Sequence, residues 1–61
     1  MTDLPKTSAP AQRALDGAGV RTLEDLASRS EKEIAALHGM GPKALRILRE
    51  ELAGLGLAMR P

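Results

Sequence analysis

Apolar residues along the chain recur at intervals of three and four, the spacing of a helix face rather than of a strand. The clearest run is Leu45, Leu48, Leu52 and Leu55, which share one stripe of a long helix opening at Pro42. Three shorter helices precede it. Ser8 is a good N-cap for the first, with Pro10 in its opening turn, Ala14 and Leu15 on its apolar side, and Gly17-Ala18-Gly19 at its end. Thr22 with Asp25 three residues later resembles a short capping box, opening a brief second helix that carries Leu23 and Leu26. Ser30 with Glu33 is a better one, and opens a third helix with Ile34 and Leu37 as core residues. Gly39-Met40-Gly41-Pro42 stops that helix and starts the fourth, which Gly54 and Gly56 end before Leu57 and Met59 fold back as a clasp. Nothing alternates with period two over a useful length. The expected fold is all-α.

The chain also repeats itself. Ala14-Leu15-Asp16-Gly17-Ala18-Gly19-Val20-Arg21-Thr22-Leu23 aligns with Ala36-Leu37-His38-Gly39-Met40-Gly41-Pro42-Lys43-Ala44-Leu45. Both copies read Ala-Leu-x-Gly-x-Gly with a leucine four residues after the second glycine, and a further leucine follows at Leu26 and Leu48. Two helix–Gly-x-Gly–helix units packed about a pseudo-two-fold axis would bury both sets of leucines. The expected architecture is therefore a compact four-to-five-helix domain with two helix-hairpin-helix units. Residues 1–7 form a flexible N-terminal arm with Leu4 as its one apolar anchor, and residues 8–61 form the single domain.

At 61 residues the core is marginal, so local signals must agree with one another. With no cysteine and His38 as the only histidine, thiolate and histidine-cluster metal sites are excluded, and no metal or cofactor is expected. No apolar stretch approaches the ~20 residues of a membrane span, and Met1-Thr2-Asp3 reads as a plain cytosolic start. The expected location is cytoplasmic, nucleoid-associated if the chain binds DNA. Aromatic residues are absent, which counts against binding of single strands by base stacking. A formal charge of only +1 gives no strong pull toward polyanions, so any DNA contact must be made by a local patch. Glu50 and Glu51 have no nucleophile or histidine beside them in the pattern, and no enzymatic activity is expected.

The second hairpin offers such a patch. A helix that restarts within a few residues must reverse its backbone sharply, which glycine permits, and the absent Cβ lets another molecule approach the main chain. The new helix presents free N–H groups and the positive end of its dipole, both favourable to a phosphate oxygen. From His38 to Arg49 there are three basic residues, Lys43, Arg46 and Arg49, and no acidic one. All three lie off the leucine stripe and are expected in solvent. Lys43, in the first turn, is best placed to share a phosphate with the Gly41 amide. The first hairpin is surrounded by Asp16, Glu24 and Asp25 and reads as structural, with Arg13 and Arg21 as outlying contacts. His38 reads as a polar loop residue and Met40 as an apolar plug.

Leu37-His38-Gly39-Met40-Gly41-Pro42-Lys43-Ala44-Leu45 resembles the helix-hairpin-helix DNA-binding motif. Over residues 4–59 the chain is similar to the C-terminal domain of the bacterial RNA polymerase alpha subunit. Asp25-Leu26, Ser30-Glu31-Lys32-Glu33-Ile34, Gly41-Pro42-Lys43-Ala44-Leu45 and Leu52-Ala53-Gly54-Leu55-Gly56-Leu57 carry that likeness. The resemblance implies minor-groove and backbone contacts from the first helix and the second hairpin, with Gly41 as the hairpin glycine and Lys43 as its basic residue. The family's groove-reading arginine falls on Pro10, its nearby asparagine on Arg13 and a serine on Ala44, so promoter preference does not carry over. The likeness is to a free-standing relative rather than to a polymerase fragment.

The leading expectation is a non-enzymatic, sequence-tolerant module for double-stranded DNA. Its candidate contacts are Gly39, Gly41, Lys43, Ala44, Arg46, Arg49 and Arg13, on the phosphate backbone or in the minor groove. Three neutralised phosphates would give a log–log salt slope near −3, at ~0.9 per phosphate. The alternative is a SAM-like protein-interaction module with a partner in transcription or repair. That reading stays open at the level of sequence.

Overall fold

The computed structural model describes residues 2–61; Met1, the first residue of the expected arm, lies outside them. Four helices run in the order α1 (Ala9–Gly17), α2 (Leu23–Ala27), α3 (Glu31–Ala35) and α4 (Pro42–Gly54). Three begin where a hydroxyl side chain offers an acceptor to the first turn. Ser8 Oγ accepts from the Ala11 N–H at 3.3 Å, Thr22 Oγ1 from Asp25 at 3.0 Å, and Ser30 Oγ from Glu33 at 3.0 Å. Among the described residues, the reciprocal half of each capping box is not made. The Asp25 carboxylate accepts from the Arg21 N–H, and that of Glu33 pairs with Arg29 instead.

Helix α4, at 1.5 Å per residue, is about 20 Å long and spans a molecule measuring 26 × 22 × 20 Å. It packs on α2 and α3. The core beneath it consists of Leu15, Val20, Leu23, Leu26, Ile34, Leu48 and Leu52, with Leu4, Leu37, Met40, Leu45, Leu57 and Met59 half-buried around them. Every helix contributes at least one of these side chains, so none can be removed without opening the others. The leucine stripe is shorter than its spacing implies, because Leu55 is 47% exposed. Just beyond it the chain closes the helix with paired bonds, Gly56 N–H to Ala53 carbonyl and Leu57 N–H to Leu52 carbonyl, and this turn brings Leu57 onto the core in its place.

The two Gly-x-Gly segments are not copies in conformation. After α1 the second glycine, Gly19, takes the positive φ (79°), and the Val20 N–H bonds back to the Leu15 carbonyl. In the other segment the first glycine, Gly39, takes it (94°). Helix α3 also stops earlier than its sequence implies. It ends at Ala35, and Leu37 enters the core from the turn rather than from the helix.

Both ends of the chain serve the short helices. The Leu23 N–H, at the start of α2, donates to the Thr2 carbonyl at 2.8 Å, and the Thr2 N–H and hydroxyl donate to the two Glu24 carboxylate oxygens at 2.8 and 3.0 Å. At the start of α3 the Glu31 N–H donates to the Arg60 carbonyl at 2.8 Å, and the Arg60 N–H to the Arg29 carbonyl at 3.0 Å. Amides that a short helix would otherwise leave orphaned are thus satisfied by chain termini.

Candidate nucleic-acid interface

Helix α4 is the exception to this capping. Its N-cap is Gly41, which has no side chain to offer, and Pro42 removes the first helical N–H. Among the described residues, the N–H groups of Gly41, Lys43 and Ala44 find no acceptor. The longest helix of the domain therefore leaves its positive end open, beside a lysine.

The two hairpin glycines differ in what the fold asks of them. A Cβ on Gly39 would stand 2.8 Å from the Pro10 carbonyl oxygen and 3.3 Å from the Pro10 Cβ, in a residue already at positive φ. Gly39 is where the second hairpin presses on the start of α1. Gly41 has φ −95° and ψ 169°, extended backbone open to any residue, and a Cβ there would meet nothing within 4 Å. Folding gives no reason for glycine at position 41. The missing side chain leaves the α4 amides uncovered.

A cleft of about 510 Å³ lies alongside. Lys6, Thr7, Ser8 and Pro10 form one wall; Gly39, Gly41, Lys43 and Ala44 belong to the other. A second hollow of about 400 Å³ adjoins it, sharing Pro10 and Gly39 and adding Arg13, Ala14 and His38. Among the described residues, no acidic side chain lines either one.

The expected contacts are thus divided. Gly39, Gly41, Lys43 and Ala44 gather at the cleft, and Arg13 borders its neighbour. The Ala44 side chain is buried, which leaves only its amide to offer. Arg46 is exposed but lines neither hollow, and its guanidinium pairs with Glu50 one turn along at 3.7 Å. Arg49 lies elsewhere. It bonds to the Glu31 carboxylate at 3.1 Å and borders a hollow beside Leu52, Leu57 and Met59, toward the other end of α4. Lys6 has no place in the motif pattern, because only the folded arm carries it to the cleft. The first hairpin has its own internal partners: Arg29 donates to the Ala18 carbonyl at 2.9 Å, and Arg21 pairs with Asp16 at 3.8 Å.

The model of the SAM-like helix-hairpin-helix tandem family matches residues 8–53. Among individual proteins, the chain is 41% identical over 46 residues to a DNA-directed RNA polymerase subunit alpha of Mycoplasma mycoides subsp. mycoides, covering 75% of this chain and 14% of that one. The same subunit of Mycoplasma capricolum subsp. capricolum is 39% identical over 46 residues, again 75% and 14% of the two chains. That of Alkaliphilus oremlandii is 33% identical over 54 residues, 88% and 17%. The chain therefore spans about one-seventh to one-sixth of the length of these relatives. No solved structure matches it at a significant level.

Proposed function

The chain belongs to the SAM-like helix-hairpin-helix tandem family, and from that and the open end of α4 we propose that it binds the sugar-phosphate backbone of double-stranded DNA, without chemistry and with little sequence preference. One phosphate sits at the start of α4, accepting from the Gly41, Lys43 and Ala44 amides and facing the Lys43 ammonium. Arg13, across the Pro10–Gly39 contact, takes a neighbouring phosphate. The observation that carries this reading is Gly41: a glycine that the fold does not require, at the one helix start among the described residues without a side-chain cap. The alpha-subunit relatives support a duplex partner in a transcription setting.

The Lys43 and Arg13 contacts account for about two units of the log–log salt slope, and non-specific affinity falls in the ~10⁻⁴ to 10⁻⁶ M range. Fluorescence anisotropy of a labelled duplex at low and moderate salt tests the proposal. Lys43→Glu should abolish binding. Duplex binding that survives this substitution, or that ignores salt, would overturn the phosphate site at the start of α4, and a duplex that does not bind at all would favour a protein partner.

A further inference from the structure

We propose that Lys6 is a third phosphate-binding side chain, and that the N-terminal arm, pinned through Thr2 to Glu24, is the element that presents it. This rests on the DNA reading above and extends it from a hairpin to a composite site.

The basic side chains divide sharply by whether they have a charge partner. Of the nine Lys and Arg residues, Arg21, Arg29, Arg46 and Arg49 pair with Asp16, Glu33, Glu50 and Glu31. Lys6, Arg13, Lys32, Lys43 and Arg60 have no ion pair among the described residues. Three of these five, Lys6, Arg13 and Lys43, border the two hollows that meet at Pro10 and Gly39. They come from three separate segments: the arm, α1 and α4. Unpaired cations brought together by folding, with no carboxylate among the described lining residues, repel one another and favour an anion between them.

The arm holds its shape through bonds that do not involve Lys6. Thr2 makes two bonds to Glu24 and one to Leu23, Asp3 bridges to Thr22, and Leu4 packs on the core. The Lys6 backbone is thereby fixed beside the cleft before any ligand arrives, which reduces the ordering cost of the contact. Thr2 and Glu24 are positioning residues; Lys6 makes the contact.

The test is a duplex titration at several salt concentrations with the full chain and its Lys6→Gln, Lys43→Glu and Thr2→Pro variants. Thr2→Pro removes both donors to Glu24 without changing charge. Lys6→Gln should move the slope from about −3 to about −2 and weaken binding roughly tenfold near 50 mM salt. Thr2→Pro should weaken binding in the unsubstituted chain and have no effect in the Lys6→Gln background. If Lys43→Glu abolishes binding while Lys6→Gln keeps both affinity and slope, the Lys6 assignment is overturned and the hairpin reading stands. Equal weakening by Thr2→Pro in both backgrounds overturns the arm's role. If the unsubstituted chain ignores the duplex, the underlying reading fails and takes this one with it.

Discussion

Gly39 and Pro10 touch so closely that any side chain on the glycine would collide with the proline's carbonyl oxygen, 2.8 Å from where a Cβ would stand. This contact joins the second hairpin to the start of α1 and holds the two walls of the cleft together. Gly39→Ala meets both the clash and the positive φ of 94°, and strain of the second kind alone is of order 1–3 kcal/mol. Chemical denaturation followed by circular dichroism should show a loss of at least that size.

Gly41→Ala should behave in the opposite way. Its φ of −95° suits alanine and the space is open, so stability changes by less than about 1 kcal/mol. Duplex affinity should nonetheless fall, because a methyl group then covers the α4 amides. A Gly41→Ala protein with full affinity would argue against main-chain contact there.

Leu48 is completely buried at the centre of the core, where α4 crosses the shorter helices. Leu48→Ala should cost about 2–5 kcal/mol, most of the stability available to a domain of this size. A thermal melt should show the midpoint lowered by at least about 8 °C. A cooperative transition near that of the unsubstituted chain would mean that the core is arranged differently.

Thr7 Oγ1 is shielded from solvent and has no hydrogen-bond partner among the described residues. A buried hydroxyl left unpaired costs about 1–3 kcal/mol by mutational measures. Thr7→Val keeps the branched shape and should raise the denaturation midpoint. A fall would show that the hydroxyl is bonded in solution.

Glu24 is held below the ordinary glutamate range, first by the Thr2 N–H that donates to its carboxylate. A lowered folded pKa stabilises the ionised form, so the arm's attachment is complete above the ordinary value and is lost as pH falls through the lower one. The Thr2 and Leu23 amide resonances should therefore shift together on acidification below the usual glutamate midpoint. In Glu24→Gln they should not respond in that window.

Much of this fold is legible in the sequence, because its signals are local. Ser8, Thr22 and Ser30 cap the helices that their spacing predicts, and Pro10 and Pro42 sit in first turns. What spacing does not contain is tertiary. The repeat aligns Gly17 with Gly39 and Gly19 with Gly41, yet positive φ falls on Gly19 and Gly39, since Gly39 answers to Pro10 and Gly19 to the end of α1. Arg49 reads as part of a basic helix face until α3 places Glu31 against it. Lys6 reads as an arm residue until Thr2 and Leu4 dock that arm. The hairpin half of the candidate site follows from a motif, whereas the half proposed for the arm and α1 depends on how the elements pack.

The phosphate clamp proposed at the start of α4 is built from main-chain amides, so it reports in their resonances. The direct measurement is an amide NMR titration of isotope-labelled protein with a short duplex at two salt concentrations, since a chain without aromatic residues has no useful intrinsic fluorescence. The clamp requires shifts at Gly39, Gly41, Lys43 and Ala44, with Lys6 and Arg13 moving alongside, reversal by added salt, and silence at Arg49 and Glu31. A spectrum unchanged at high DNA concentration, or shifts centred on Arg49 and the C-terminal clasp, would contradict it.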